Sequence, residues 1–204
     1  MLTYLALGDS YTIGEQVPFE RNFPNQLVAL LRTSGVECAD PVIIAQTGWT
    51  TDELMAAISE KNIMGTFSFV TLLIGVNNQY RGRTLENYKE ELHSLLHQAI
   101  AFARGNSKNV VVLSIPDWGV TPFAEGRDRN QIAVEIDNFN KVNRFYAVDH
   151  DCSYIEITQS TRDNGQVEGF LAIDALHPSE LEYAVWAKQA FVMVSEHFGT
   201  GSNH

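Results

Sequence analysis

Positive charge is scarce in this sequence: 14 lysines and arginines stand against 25 aspartates and glutamates, a formal net charge of -11 with histidine neutral. A surface of that sign repels phosphate backbones and anionic headgroups, which argues against nucleic acid as a partner and against polybasic docking to membranes. Long apolar runs are missing too. No stretch approaches the roughly 20 consecutive apolar residues of a spanning helix, so stable membrane insertion is not expected. The opening MLTYLALGDS has no basic start and turns polar at Gly8 and Asp9, so it reads as a strand and not as a secretion signal. With Met1 as the natural start this gives a cytoplasmic protein; with a leader removed it gives a periplasmic or secreted one. Two cysteines, Cys38 and Cys152, are too few to fix the redox compartment. No internal repeat, linker or low-complexity stretch divides the 204 residues, and a hydrophobic content of 45% suffices for one sizeable core. The expected organisation is a single domain over residues 1–204, with the closing GTGSNH (199–204) a frayed tail.

What is present is an alternation of two hydrophobic periods. Apolar runs rich in β-branched residues lie at 2–7, 42–45, 69–74, 110–115 and 153–157 and read as five short strands. Between them the period lengthens to about 3.6. Leu27, Leu30 and Leu31 follow Pro24, a suitable first-turn proline, and stop near Gly35. Thr50 and Glu53 have capping-box spacing ahead of Leu54, Ala57 and Ile58. A longer helix runs from after Thr84 to before Gly105, and two more cover about 130–148 and 179–197. Strict alternation of this kind predicts an α/β fold, a parallel sheet with helices on both faces. The segment 116–131 is the one long loop, which either forms a lid or packs down.

Ligands of open parallel sheets bind beyond the carboxyl ends of the strands. Gly8-Asp9-Ser10 follows the first predicted strand, Gly48 the second, Gly75-Val76-Asn77-Asn78 the third and Pro116-Asp117-Trp118-Gly119 the fourth; Asp174-Ala175-Leu176-His177-Pro178 lies beyond the fifth. Each segment alone is an ordinary turn, but all five converge on one end of the sheet. A serine hydroxyl becomes a nucleophile when an imidazole takes its proton and a carboxylate holds the other ring nitrogen. Asp174 and His177, three apart, can reach the same side of a turn; an Asp-x-x-His ahead of a proline-led helix also serves as a plain cap. Backbone N–H groups at Gly48 and Ser10 and the amide of Asn77 are candidate donors to a developing oxyanion.

GDSYTIGE, the glycine of QTGWT, GVNN and DALHPS, in that order along the whole chain, resemble the four blocks of the SGNH hydrolases, the GDSL-type esterases and lipases. The resemblance implies a three-layer α/β/α sandwich with a five-stranded parallel sheet of order 2-1-3-4-5, a flavodoxin-like arrangement. It implies Ser10 as nucleophile, His177 as base, Asp174 as its orienting acid, and Ser10, Gly48 and Asn77 as the oxyanion hole. It implies no metal and no cofactor, and a small-molecule ester as the partner. One departure is visible: the third block commonly reads Gly-x-Asn-Asp, and position 78 here is Asn. Acyl transfer through an acyl-enzyme follows, on small acyl esters or lysophospholipid-like lipids; carbohydrate O-acetyl esters and thioesters fit the same site. In the implied order Cys38 and Cys152 precede opposite edge strands, about 19 Å apart against the roughly 7 Å a disulfide spans, so no intramolecular disulfide is expected.

Trp49, Trp118 and Phe123 lie in the loops at this end and either line an acyl pocket or cover the sheet edge. Gln79, Tyr80 and Arg81 invite substrate contact, although an arginine in an acidic protein more often finds a carboxylate. Arg127 and Arg129 raise the idea of an anionic substrate, which Glu125 and Asp128 beside them weaken. His93 and His97 have the i, i+4 spacing of zinc-binding helices, but Ser94 occupies the position of the catalytic glutamate and no third ligand is evident. Asp149-His150-Asp151 could likewise coordinate a cation, but it lies just before the fifth strand, at the end of the sheet opposite the other motifs, where a solvated turn accounts for it. Two rival classes stand beside the esterase. A flavodoxin-like phosphate- or nucleotide-binding module would need a P-loop lysine or dinucleotide glycine spacing, which GDSYTIGE does not have. A metal phosphatase would need an Asp/His cluster that is not visible. Oligomeric state cannot be read from the helix faces.

Overall fold

The computed structural model describes residues 1–198; the tail expected at 199–204 lies outside them. Five strands form one parallel sheet, β1 (Tyr4–Asp9), β2 (Val42–Gln46), β3 (Phe69–Leu73), β4 (Val110–Leu113) and β5 (Ser153–Ile155), in the order β2-β1-β3-β4-β5. All residues of β1, β3 and β4 are buried, as continuous apolar strands covered on both faces must be. The register sets Gly8 between Ala45 of β2 and Leu73 of β3, so the polar segments that follow all three strands emerge side by side.

Among the described residues eight helices surround the sheet: α1 (Ser10–Ile13), α2 (Phe23–Thr33), α3 (Thr51–Lys61), α4 (Val76–Tyr80), α5 (Leu85–Phe102), α6 (Arg129–Asp149), α7 (Thr158–Asn164) and α8 (Glu180–Phe198). Helices α2 and α8 pack together on one face, and α3, α5 and α6 follow one another on the other, which gives the three-layer α/β/α sandwich. Local signals account for the starts. The Asn22 side chain accepts from the Asn25 N–H, with a proline in the first turn of α2, and the Thr50–Glu53 capping box opens α3. Among the described residues no helix is long and apolar enough to cross a membrane.

Differences from the sequence reading fall at strand ends and in short helices. Strand β4 stops at Leu113 because Ile115 leaves the ladder: its N–H donates to Asn140 Oδ1 at 2.7 Å and its carbonyl accepts from Asn140 Nδ2 at 3.1 Å. Strand β5 ends at Ile155 because the N–H groups of Ile157 and Thr158 turn to Ser114 Oγ at 2.8 and 3.1 Å. Helices α1, α4 and α7 are four, five and seven residues long, too short to show a period. Segment 116–131 is no lid. It folds into 3-10 turns at Trp118–Val120 and Pro122–Ala124, buries Trp118 and Ala124, and leads into α6. Arg162 of α7 fastens it by donating to Asp117 Oδ2 at 2.9 Å and to Asp137 Oδ1 at 2.8 Å. Both cysteines are free, and the strands they precede are the two outer strands of the sheet.

Candidate active site

Gly8, Asp9 and Ser10 turn β1 directly into α1. A Cβ on Gly8 would lie 2.1 Å from Thr12 Oγ1 and 2.5 Å from the Leu73 carbonyl, so only glycine allows so sharp a turn against β3. The Asp9 side chain caps α1 by accepting from the Tyr11 N–H at 3.0 Å. Ser10 thereby opens α1 at the end of a buried strand and is itself 3% exposed.

Asp174 and His177 arrive from a segment with neither strand nor helix. After α7 the chain doubles back in a tight hairpin closed by an antiparallel bridge between Leu171 and Pro178. Ala175 at its tip has φ of +58°, a left-handed conformation rare for a residue with a side chain. That twist lets Asp174 Oδ1 accept from the N–H groups of both Leu176 and His177 at 3.0 Å, while Asp174 Oδ2 stands 2.6 Å from His177 Nδ1. On the other side of the ring, His177 Nε2 stands 3.0 Å from Ser10 Oγ. Burial acts to raise the Asp174 carboxyl, but the bonds from the His177 side chain and from the two backbone N–H groups outweigh it and hold the carboxyl below its ordinary value. An imidazole bridging a hydroxyl and an ionised carboxylate is equipped to take the hydroxyl proton.

Gly48 and Asn77 stand at the same mouth. Gly48 has φ of +84°, and Arg81 Nη2 donates to its carbonyl at 2.5 Å. Arg81 Nη1 also donates to Glu53 Oε1 at 3.2 Å, so its charge is spent on fixing the Gly48 turn. Asn77 Nδ2 donates to the Trp49 carbonyl at 3.0 Å and, at a longer 3.4 Å, to Asp9 Oδ2. Asp9 is fully buried; burial pushes its carboxyl up to about 7 against the bonds from Tyr11 and Asn77. The Asn at position 78 has a physical reason. Its Oδ1 accepts from the Thr51 N–H at 3.1 Å and its Nδ2 donates to Thr51 Oγ1 at 2.7 Å, while the Thr51 hydroxyl donates to Glu91. A carboxylate there would face the Glu91 carboxylate across a hydroxyl with a single proton.

A cleft of about 170 Å³ joins these groups, bounded by Ser10, Gly48, Asn77 and His177, with Tyr11, Val76, Tyr80, Trp118, Phe123 and Leu176 among its walls. Trp118 is held by its indole N–H, which donates to Gln79 Oε1 at 2.7 Å, and Phe123 by its backbone N–H to the Ala175 carbonyl at 3.2 Å. Trp49 is not among the lining residues: it packs against the core, between the Gly48 turn and the start of α3. Tyr11 and Leu176 escaped sequence reasoning because an apolar neighbour of a polar motif looks like any core residue. The Tyr11 ring packs 5.0 Å from that of His177. Arg129 turns inward to the Gly119 carbonyl, so it is not aimed at a ligand.

The sequence reading of His93 and His97 needs correction in one respect. A third histidine is present: His150, placed by the packing of α6 on α5, offers a ring nitrogen so that single ligand atoms of all three lie within 4.8 Å of one another. Separation along the chain hid it.

A model of the GDSL-like lipase/acylhydrolase family matches residues 6–185. Among solved structures, TesA is similar with a TM-score of 0.74 at 19% identity, covering 95% of this chain and 98% of that one. A lipase/acylhydrolase from Enterococcus faecalis has a TM-score of 0.74 at 19% identity over 97% of both chains. Axe2, an acetylxylan esterase from Geobacillus stearothermophilus, has a TM-score of 0.74 at 18% identity over 95% of this chain and 94% of that one. At such identities the structural likeness is one of fold. No curated protein matches the sequence significantly.

Proposed function

This chain belongs to the GDSL-like lipase/acylhydrolase family and is a carboxylic ester hydrolase, and on that premise we propose that it cleaves short-acyl esters by a Ser10–His177–Asp174 mechanism. The observation that carries the reading is the unbroken relay from Asp174 Oδ2 through both nitrogens of His177 to Ser10 Oγ, at 2.6 and 3.0 Å. Ser10 Oγ attacks the ester carbonyl carbon as its proton passes to His177 Nε2. Negative charge gathers on the carbonyl oxygen and is held by the N–H groups of Ser10 and Gly48 and by the Asn77 amide, which exchanges its long bond to Asp9 for the oxyanion. The tetrahedral intermediate collapses, His177 protonates the departing alcohol, and the acyl group remains on Ser10. Water, deprotonated by His177, then releases the acid by the same route in reverse.

Acyl length follows from space. A cleft of about 170 Å³ is well under the roughly 300–1,000 Å³ of sites for drug-sized ligands, which favours acetyl to butyryl groups over long chains. A second reading, an O-acetyl esterase on sugars, draws support from the half-exposed Tyr80 and Phe123, whose rings meet at 6.5 Å at the cleft mouth and offer faces on which a sugar ring can lie. The fold shared with an acetylxylan esterase is consistent with it. Hydrolysis of p-nitrophenyl esters from acetate to decanoate tests the proposal, with Ser10→Ala run in parallel. Turnover peaking at acetate to butyrate, and a kcat in the variant lower on the order of 10⁶-fold, is expected. Undiminished turnover by Ser10→Ala overturns the mechanism, and an optimum at decanoate overturns the assignment of chain length.

A further inference from the structure

We propose that His93, His97 and His150 form a binding site for one divalent transition-metal ion, zinc foremost, which ties the middle of α5 to the carboxyl end of α6 at the end of the sheet opposite Ser10. His93 and His97 lie one turn apart on α5, and their Nε2 atoms are 3.1 Å apart. Nitrogens bound tetrahedrally to zinc at about 2.0–2.1 Å stand roughly 3.3 Å from one another, so the pair is already at ligand spacing. The ring centroids are separated by 4.5 Å (His93–His97), 5.2 Å (His93–His150) and 5.0 Å (His97–His150), a nearly equilateral triangle. Three imidazoles radiating from one tetrahedral zinc have centroids roughly 5 Å apart. The rings are also mutually steep, at 89°, 71° and 81°, so none is stacked face to face on another in a way that would bury its nitrogens.

The surroundings of His150 add an independent argument. Its Nδ1 stands 3.1 Å from the Tyr146 carbonyl and 3.5 Å from Asp149 Oδ2. A histidine whose Nδ1–H is given to a carbonyl with a carboxylate beside it presents a bare Nε2 lone pair, the tautomer a metal selects and the outer hydrogen bond that accompanies metal-bound histidines. Mutual hydrogen bonding of neutral rings would account for His93 and His97 but not for His150 in the triangle. His97 is exposed while His93 and His150 are half-buried, so an ion has a route in and a floor to sit on. Three neutral nitrogen ligands with no thiolate suit zinc, copper(II) or nickel(II) rather than magnesium or calcium. The fourth position is left to water.

The ion would act as a clasp. Helices α5 and α6 pack together on one face of the sheet, and α6 ends at Asp149, just before β5. The test uses tag-free, chelator-dialysed protein titrated with zinc chloride by calorimetry, with melting temperature read alongside. One ion per chain and a rise in melting temperature are expected. His97→Gln, at an exposed position that tolerates the change, and His150→Ala should each weaken binding at least tenfold and abolish the thermal shift. His177→Ala should bind zinc as the parent does, which separates the clasp from the esterase centre. Failure of the parent to take up an ion, equal affinity in parent and His97→Gln, or loss of binding in His177→Ala would each overturn the proposal.

Discussion

The two halves of the candidate active site are held by opposite means. Ser10 stands at the end of β1, a strand buried along its whole length and paired on both sides, so its position is fixed by the core. Asp174 and His177 stand on a hairpin without regular structure, bordered by the 94%-exposed Ile173, and their geometry is fixed by local hydrogen bonds. The place of Ser10 is therefore a property of the fold, while that of Asp174 and His177 is a property of four residues. Stability and activity should separate accordingly when each half is damaged.

After Ser10→Ala, the largest effect is expected at Asp174→Asn. Asparagine Oδ1 can keep the two backbone N–H bonds, so the hairpin survives, but its amide N–H then faces His177 Nδ1 and forces the proton to Nε2, where it cannot accept from Ser10. A fall in kcat of roughly 10²- to 10⁴-fold is expected with little change in melting temperature, measured by ester turnover and thermal denaturation on one preparation. A melting temperature that drops with the activity would show that the hairpin is part of the core and would end the contrast. Gly8→Ala is the converse. The new methyl meets the Leu73 carbonyl and the buried Thr12 side chain, and strain of about 3 kcal/mol should lower the melting temperature by roughly 6–12 °C. A variant as stable as the parent would mean that the end of β1 yields, and that Ser10 is no better anchored than His177.

The same contrast explains what the sequence disclosed. Glycine-marked blocks after the strands located Ser10, Gly48 and Asn77, since a turn at the end of a buried strand leaves a compositional trace. Five strands and their alternation with helices were visible for the same reason, continuous runs such as VVVL being unlike any helix face. Tyr11, Val76 and Leu176 were not visible as cleft walls, because an apolar side chain carries no mark of whether it faces the core or a substrate. Trp49 shows the reverse error: its place beside Gly48 suggested the cleft, yet it packs on the core. His150 was legible as a turn residue with acidic neighbours that could hold a cation, but not as a partner of His93, because their meeting depends on how α6 lies against α5. The fastening of segment 116–131 by Arg162 is hidden by the same kind of distance.

Asp9 stands beside Ser10 at the end of β1, and it gives the most discriminating effect. Its carboxyl is fully buried at the end of β1 while Oδ2 reaches the Asn77 amide. Burial lifts its folded pKa to about 7, above the roughly 3.9 of an unfolded aspartate, so the group stabilises the fold fully below pH 3.9 and loses that contribution as pH rises through 7. Asp9→Asn can retain the cap on the Tyr11 N–H through its own Oδ1 and does not titrate. Urea unfolding of parent and variant from pH 4 to 8 should show the parent losing ground steadily up to about pH 7 and then holding level, each tenfold shift of the acid equilibrium contributing about 1.4 kcal/mol. A difference that is flat with pH would mean that the carboxyl ionises freely. Asp9 would then be solvated rather than buried with the strand that carries Ser10.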